Sequence, residues 1–148
     1  MRAYGFHAVL ALVGVVAPDR RLLVPPETHL EIRDWILPPP LPLHGLTGQG
    51  EGEPVGRIEE VLLIEETLWA RGRFHQSEEG RHYAGALALG LGQIALDAKP
   101  GEDVVTGEPG KRRVEMRGWQ VRGGTVVVEH AWKVPPVEVY QVPVLRGR

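Results

Sequence analysis

Six histidines, one serine and no cysteine bound the chemistry open to this 148-residue chain. Thiol catalysis and a Cys-ligated zinc site are excluded, and with no disulfide to form, the redox compartment stays open. His7, His29, His44, His75, His82 and His130 do not fall at zinc-ligand spacing. His75 and His82 could share a helix face only if the helix began before its natural cap. Neither a metal site nor a cofactor is therefore expected. Ser77 sits in "SEE" at the start of a helical pattern, where its hydroxyl is suited to capping, and two acidic neighbours oppose formation of an alkoxide. The carboxylate pairs Glu59–Glu60 and Glu65–Glu66 are adjacent in sequence. On a strand, adjacent side chains point to opposite faces, so they read as solvated hairpin charges rather than as an acid/base couple.

The elements that must position these residues are mostly strands. Ala8–Ala17 is an apolar run of ten residues, too short to span a bilayer, and reads as a buried strand followed by an "APDRR" turn and "LLVP" as the returning strand. The stretch "THLEIRDWILPPPLPLHGLTGQGEGEP" reads as a long loop, stiffened by Pro38–Pro40 and Pro42 and loosened by the glycines after them. "RIEEVLLI-EET-LWARGRF" predicts a hairpin with Leu68, Ala70, Gly72 and Phe74 on one face. A helix should follow, with Ser77 as cap, Glu78 and Glu79 in its first turn, Tyr83, Ala86 and Leu87 inward, and Gly90 or Gly92 as its stop. "QIALDA" resumes extended structure and "KPGEDVVTGEPGK" reads as a loop. "RRVEMRGWQV-RGG-TVVVEHAWKV" reads as a second hairpin across a Gly-Gly turn, and "VEVYQVPV" as a last strand. The expected fold is α+β and mostly β: one domain over 1–148, a small β-barrel of about seven or eight strands with one main helix packed on it.

A formal charge of −2, from 17 basic and 19 acidic residues mixed along the chain, leaves no electrostatic footprint for nucleic acid or an anionic membrane, so neither is expected as a partner. The absence of Asn and Cys, with 13 prolines, suits either a heat-tolerant protein or a GC-rich genome.

Five stretches in order, "GVVAPDRRLLVPP", "RDWILPPPLPL", "VGRIEEV", "LWARGRFHQSEEGRHYAGALALGLGQIALDA" and "WKVPPVEVYQVP", resemble the prohead (capsid maturation) protease family of tailed phages, whose fold is like that of the herpesvirus proteases. The resemblance covers most of the chain. It implies a catalytic serine on the strand after the helix and a histidine a few residues before the Gly-Arg-Ile segment. Aligned on "GLGQIALD", the serine position falls on Ile94, and a shift by one gives Gln93 or Ala95. Aligned on "GQGEGEPVGRI", the histidine position falls on Gln49, with His44 near enough to substitute. None of the residues at the serine position is a nucleophile, and an amide cannot act as general base. Losing a catalytic serine removes a factor of about 10⁶, and what survives, roughly 10³ to 10⁴ over water, is useless against an amide bond.

The expectation that follows is a non-enzymatic virion protein, a minor capsid or decoration protein that binds the lattice of major capsid protein as a homo-oligomer. Trp35, Pro39, Leu41 and Trp69 are expected to point outward as partner contacts. Two other readings stay open at this point: an active maturation protease with a rearranged site, and an unrelated small β-rich binding domain.

Overall fold

The computed structural model describes residues 3–46 and 53–143. Its backbone is a seven-stranded sheet that curls into a half-barrel, with a second, three-stranded sheet beside it and two helices. Strand β1 (Ala3–Leu12) runs through the large sheet between β10 (Glu138–Val142) and β5 (Thr67–Phe74). The order continues through β4 (Gly56–Ile64), β3 (Leu41–His44) and β9 (Gln120–Val127) to β6 (Gln93–Lys99). The inside of the curl holds Phe6, Leu10, Leu43, Ile58, Leu68, Ile94 and Val121, all fully buried.

The β4–β5 hairpin forms as its alternation predicts. Leu68, Ala70, Gly72 and Phe74 are buried, Arg71 and Arg73 are exposed, and the chain reverses at Glu65, which takes a positive φ of 56°. A bulge between Ile58 and Glu60 departs from that pattern. It leaves both Glu59 and Glu60 on the exposed side rather than on opposite faces, where Glu59 pairs with Arg73 and Arg57 and Glu60 with Arg71.

The main helix, α2 (Glu78–Ala88), is also where the sequence puts it. Ser77 Oγ accepts the Gly80 amide at 3.1 Å, satisfying one orphan donor of the first turn. Gly90, with φ 75°, ends the helix as a left-handed residue. Leu87 and Ala84 are its buried side chains. Tyr83 and Ala86 are only half-buried. The Tyr83 hydroxyl accepts the Leu46 amide at 3.2 Å, which ties α2 to the end of β3.

Elsewhere the structure departs from expectation. The "LLVP" strand, β2 (Arg21–Leu23), does not return to β1; it pairs in parallel with β8 (Arg113–Arg117) in the small sheet, whose order is β2-β8-β7. A tight turn redirects it: Ala17 N–H donates to Arg21 O, Arg20 takes φ 71°, and Asp19 holds the Arg21 side chain at 2.6 Å. The expected loop "KPGEDVVTGEPGK" contains β7 (Glu102–Thr106), which finds β8 as a partner. Glu115 on β8 is gripped by Arg117 and Arg113, and those two guanidinium groups hold its carboxyl below the usual range.

The Gly-Gly turn is a second correction. Gly123 and Gly124 lie inside β9, and β8 and β9 form no hairpin: the chain passes from the small sheet to the large one through Gly118, with φ 67°. The glycines serve close approach instead. A Cβ on Gly124 would sit 3.1 Å from Ile58 and 3.2 Å from Ile94, and one on Gly123 would meet the Pro42 carbonyl at 2.6 Å.

The proline-rich loop is the third. It contains α1 (Ile32–Trp35), opened by a reciprocal Glu31–Asp34 capping box, and then β3. Leu41 and Leu43 alternate into the core, which decides for a strand despite Pro42. Pro42 is tolerated because β3 meets β9 only from Leu43 onward, so its missing amide leaves no ladder bond unmade on that side. The described residues thus hold ten strands and two helices, against about seven or eight strands and one main helix expected.

Candidate functional site

Three neighbouring strands place two of the sequence's candidate residues, His44 and Ala95, in one row with Thr125, which the sequence does not mark. His44 on β3 is in register with Thr125 on β9, and Thr125 with Ala95 on β6. Residues directly opposite one another across a ladder share a face, so His44, Thr125 and Ala95 project from the same side of the sheet. The next row, Leu43, Gly124 and Leu96, projects to the other side, and Ile94 and Val126 share that inner side. Ile94 is therefore a core residue packed over Gly124, and the position of β6 that shares a face with the histidine, across Thr125, is Ala95.

The row is buried and polar at two of its three positions. His44 and Thr125 are each 6% exposed, and among the described residues His44 Nδ1 has no hydrogen-bond partner. A histidine can act as a base only toward an acid within reach. Ala95 offers none, and the other member of the row, Thr125, is itself a buried residue. Ser77 oxygen is already committed to its helix cap. Gln49 lies outside the described residues.

The expected partner contacts separate into two groups. Trp35 and Leu41 do not point outward: they are 7% and 4% exposed. Trp35 meets Trp119 edge to face at 5.8 Å, and the Trp119 indole N–H donates to Val24 O at 2.8 Å, so the α1 turn is pinned next to the small sheet by this T-shaped indole pair. Leu41 faces the core because it is the alternate partner of Leu43. Pro39 is exposed, and Trp69 is half-buried on the outer face of β5.

Around Trp69 the structure assembles a surface that the sequence reading missed. The His7 ring stacks on the Trp69 indole at 4.6 Å and 12°. Leu62 lies opposite Trp69 across the ladder, and Ile64 follows on the same face; both side chains are exposed. A groove of about 340 Å³ continues from Leu62 and Leu63 across Ile32 and Pro25, with Trp35 in its wall. The continuous run "VLLI" hid this patch, because with four apolar residues in a row the sequence does not say which pair faces outward. The Glu60–Arg71 and Glu59–Arg73 pairs on the same two strands give it a polar border.

No protein-family model matches the chain, and comparison with curated proteins gives no match. No helix among the described residues is long and apolar enough to cross a membrane.

Proposed function

We propose that the chain is a non-enzymatic phage virion protein, a minor capsid or decoration protein built as one prohead-protease-like domain over 1–148, which binds the major capsid lattice as a homo-oligomer. The observation that carries the reading is the row His44–Thr125–Ala95: a buried histidine, whose Nδ1 has no partner among the described residues, shares one face of the sheet, across Thr125, with an alanine on the strand that follows the helix. A protease of this plan needs a hydroxyl where Ala95 stands. The order hairpin, helix, strand, with His44 two strands from β6, fits that plan, and the half-barrel fits the curl of such a barrel. A frame that keeps a histidine without its nucleophile serves binding rather than cleavage, and the Trp69–Leu62–Ile64 surface supplies contacts that the core does not consume.

The test is docking on assembled shells of the major capsid protein from the same genome. The parent protein should co-sediment, and Trp69→Ala, with an unchanged melting temperature, should lower its affinity about 30-fold, as loss of an aromatic anchor worth about 2 kcal/mol would. Equal binding by parent and variant would remove this face as the docking surface.

A further inference from the structure

The large sheet is not closed by hydrogen bonds. Its order ends at β6, while β1 is taken up by β10 and β5, yet β1 and β6 lie close enough to form a seam. The chain leaving β9 crosses that seam, and His130 is the residue that joins its two sides. The His130 amide donates to Gln93 Oε1 on β6 at 3.1 Å. Its Nε2 lies 3.2 Å from the Val9 carbonyl oxygen on β1. Its Nδ1 lies 3.2 Å from the Trp132 amide nitrogen, and the Trp132 indole N–H donates to Val15 O at 2.8 Å.

These partners fix the tautomer. A carbonyl only accepts, so Nε2 must carry the ring hydrogen; a backbone amide only donates, so Nδ1 must be bare. The second proton of an imidazolium would have to sit on Nδ1, facing the Trp132 N–H, where two donors oppose each other. His130 is 8% exposed, and burial pushes its pKa below the ordinary 6.5, against the pull of its hydrogen bonds to the Val9 and Leu10 backbone. Among the described residues no carboxylate compensates. β1 presents Val9 and Leu10 to the ring, and its His7 is stacked on Trp69 on the outer face. β6 presents Gln93 and Ile94, while its Asp97 is paired with Arg122. On β2, Arg21 lines the cavity beside the ring but its Nε is turned to Asp19, and Glu129 and Lys133 on the crossing segment are exposed.

We propose that His130 is an acid-sensitive latch on the β1–β6 seam: protonation at Nδ1 cancels the Trp132 bond, frees the crossing segment and opens the seam onto the apolar cavity behind it. That cavity, of about 250 Å³, is lined by Leu10, Leu23, Leu96, Met116 and Trp132. The sign follows from the lowered pKa. The latched form binds fewer protons than the open or unfolded form, so its stability is complete above pH 6.5 and declines as pH falls below it, by up to tenfold in the closed-to-open ratio per pH unit. Asp19 and Glu115 do not confuse this window. Burial raises the Asp19 carboxyl but the Arg21 bonds outweigh it, and Glu115 is held low by Arg117 and Arg113, so both act only below their ordinary 3.8 and 4.5.

The experiment follows tryptophan emission and binding of an apolar dye by the full-length protein from neutral pH to about 5. The parent should show a reversible red shift and dye uptake beginning below pH 6.5, with backbone secondary structure retained. His130→Gln, whose amide can donate to Val9 O and does not titrate, should lose that transition whatever its overall stability. Should this variant not fold, the ring nitrogens of ¹⁵N-labelled parent decide: His130 should show the Nε2–H tautomer at neutral pH and titrate below 6.5. A transition that persists in His130→Gln, an absent transition in the parent, or a His130 that titrates at or above 6.5 each overturns the latch.

Discussion

Ile94→Ser is expected to destabilise the protein by about 4 kcal/mol, the sum of a deleted buried aliphatic side chain and a hydroxyl with no partner in the core. Ile94 is fully buried, and its Cγ2 packs against the space above Gly124, so the freed volume borders Ile58. Ala95→Ser, one residue along and on the face of His44 and Thr125, should cost less than about 1 kcal/mol, since its half-buried site has polar neighbours. Denaturant unfolding of both variants measures the difference. Similar losses at the two positions would mean that β6 does not divide its faces as described, and that the serine position could not be assigned to Ala95.

Gly72→Ala should be of similar size, about 3 to 5 kcal/mol, through overpacking rather than a void. A Cβ there would collide with the Arg57 carbonyl and lie 2.8 Å from the Phe6 ring. Neither can yield cheaply: the carbonyl belongs to β4, beside the bulge, and Phe6 is fully buried against Phe74 at a ring separation of 5.1 Å. Gly85→Ala is the matched control. It lies on the exposed side of α2 with nothing near its missing Cβ, so it should stabilise by about 0.5 to 1 kcal/mol. Thermal unfolding of the two alanine variants should therefore move in opposite directions.

The parts of the fold that were legible in the sequence are those whose burial repeats locally. The β4–β5 hairpin alternates over a full strand, and α2 carries its own cap, first-turn acids and stop, so each announces its type without reference to the rest of the chain. What was not legible depends on distant partners. β7 is half exposed and becomes a strand only because β8 lies beside it. β3 is only four residues long and contains a proline, and its identity rests on β4 and β9, which arrive from either side. The Gly-Gly pair looked like a turn because turn and close approach demand the same residue, and only Ile58 and Ile94 distinguish them.

The site was half legible for the same reason. His44 stands out by its place in the chain and "QIALDA" reads as a strand, but which residue of that strand shares the face of His44 is a register question, and register is set by β9. A shift by one residue moves the position that the resemblance assigns to a serine from the core at Ile94 to the polar row at Ala95. Thr125 went unnoticed, since nothing in "TVVVEH" marks a threonine as the neighbour of a histidine eighty-one positions earlier. Trp35 reads as an outward anchor because a tryptophan among prolines resembles a docking segment. Its burial comes from Trp119, which no local pattern ties to it.

The most direct measurement of the central claim is intact-mass analysis of the protein mixed with assembled shells of its major capsid protein, sedimented after several hours. The expected result is both chains together in the pellet at their full masses, with the capsid protein uncut. Shortened capsid protein, or a chain that stays in the supernatant at every concentration tried, contradicts it.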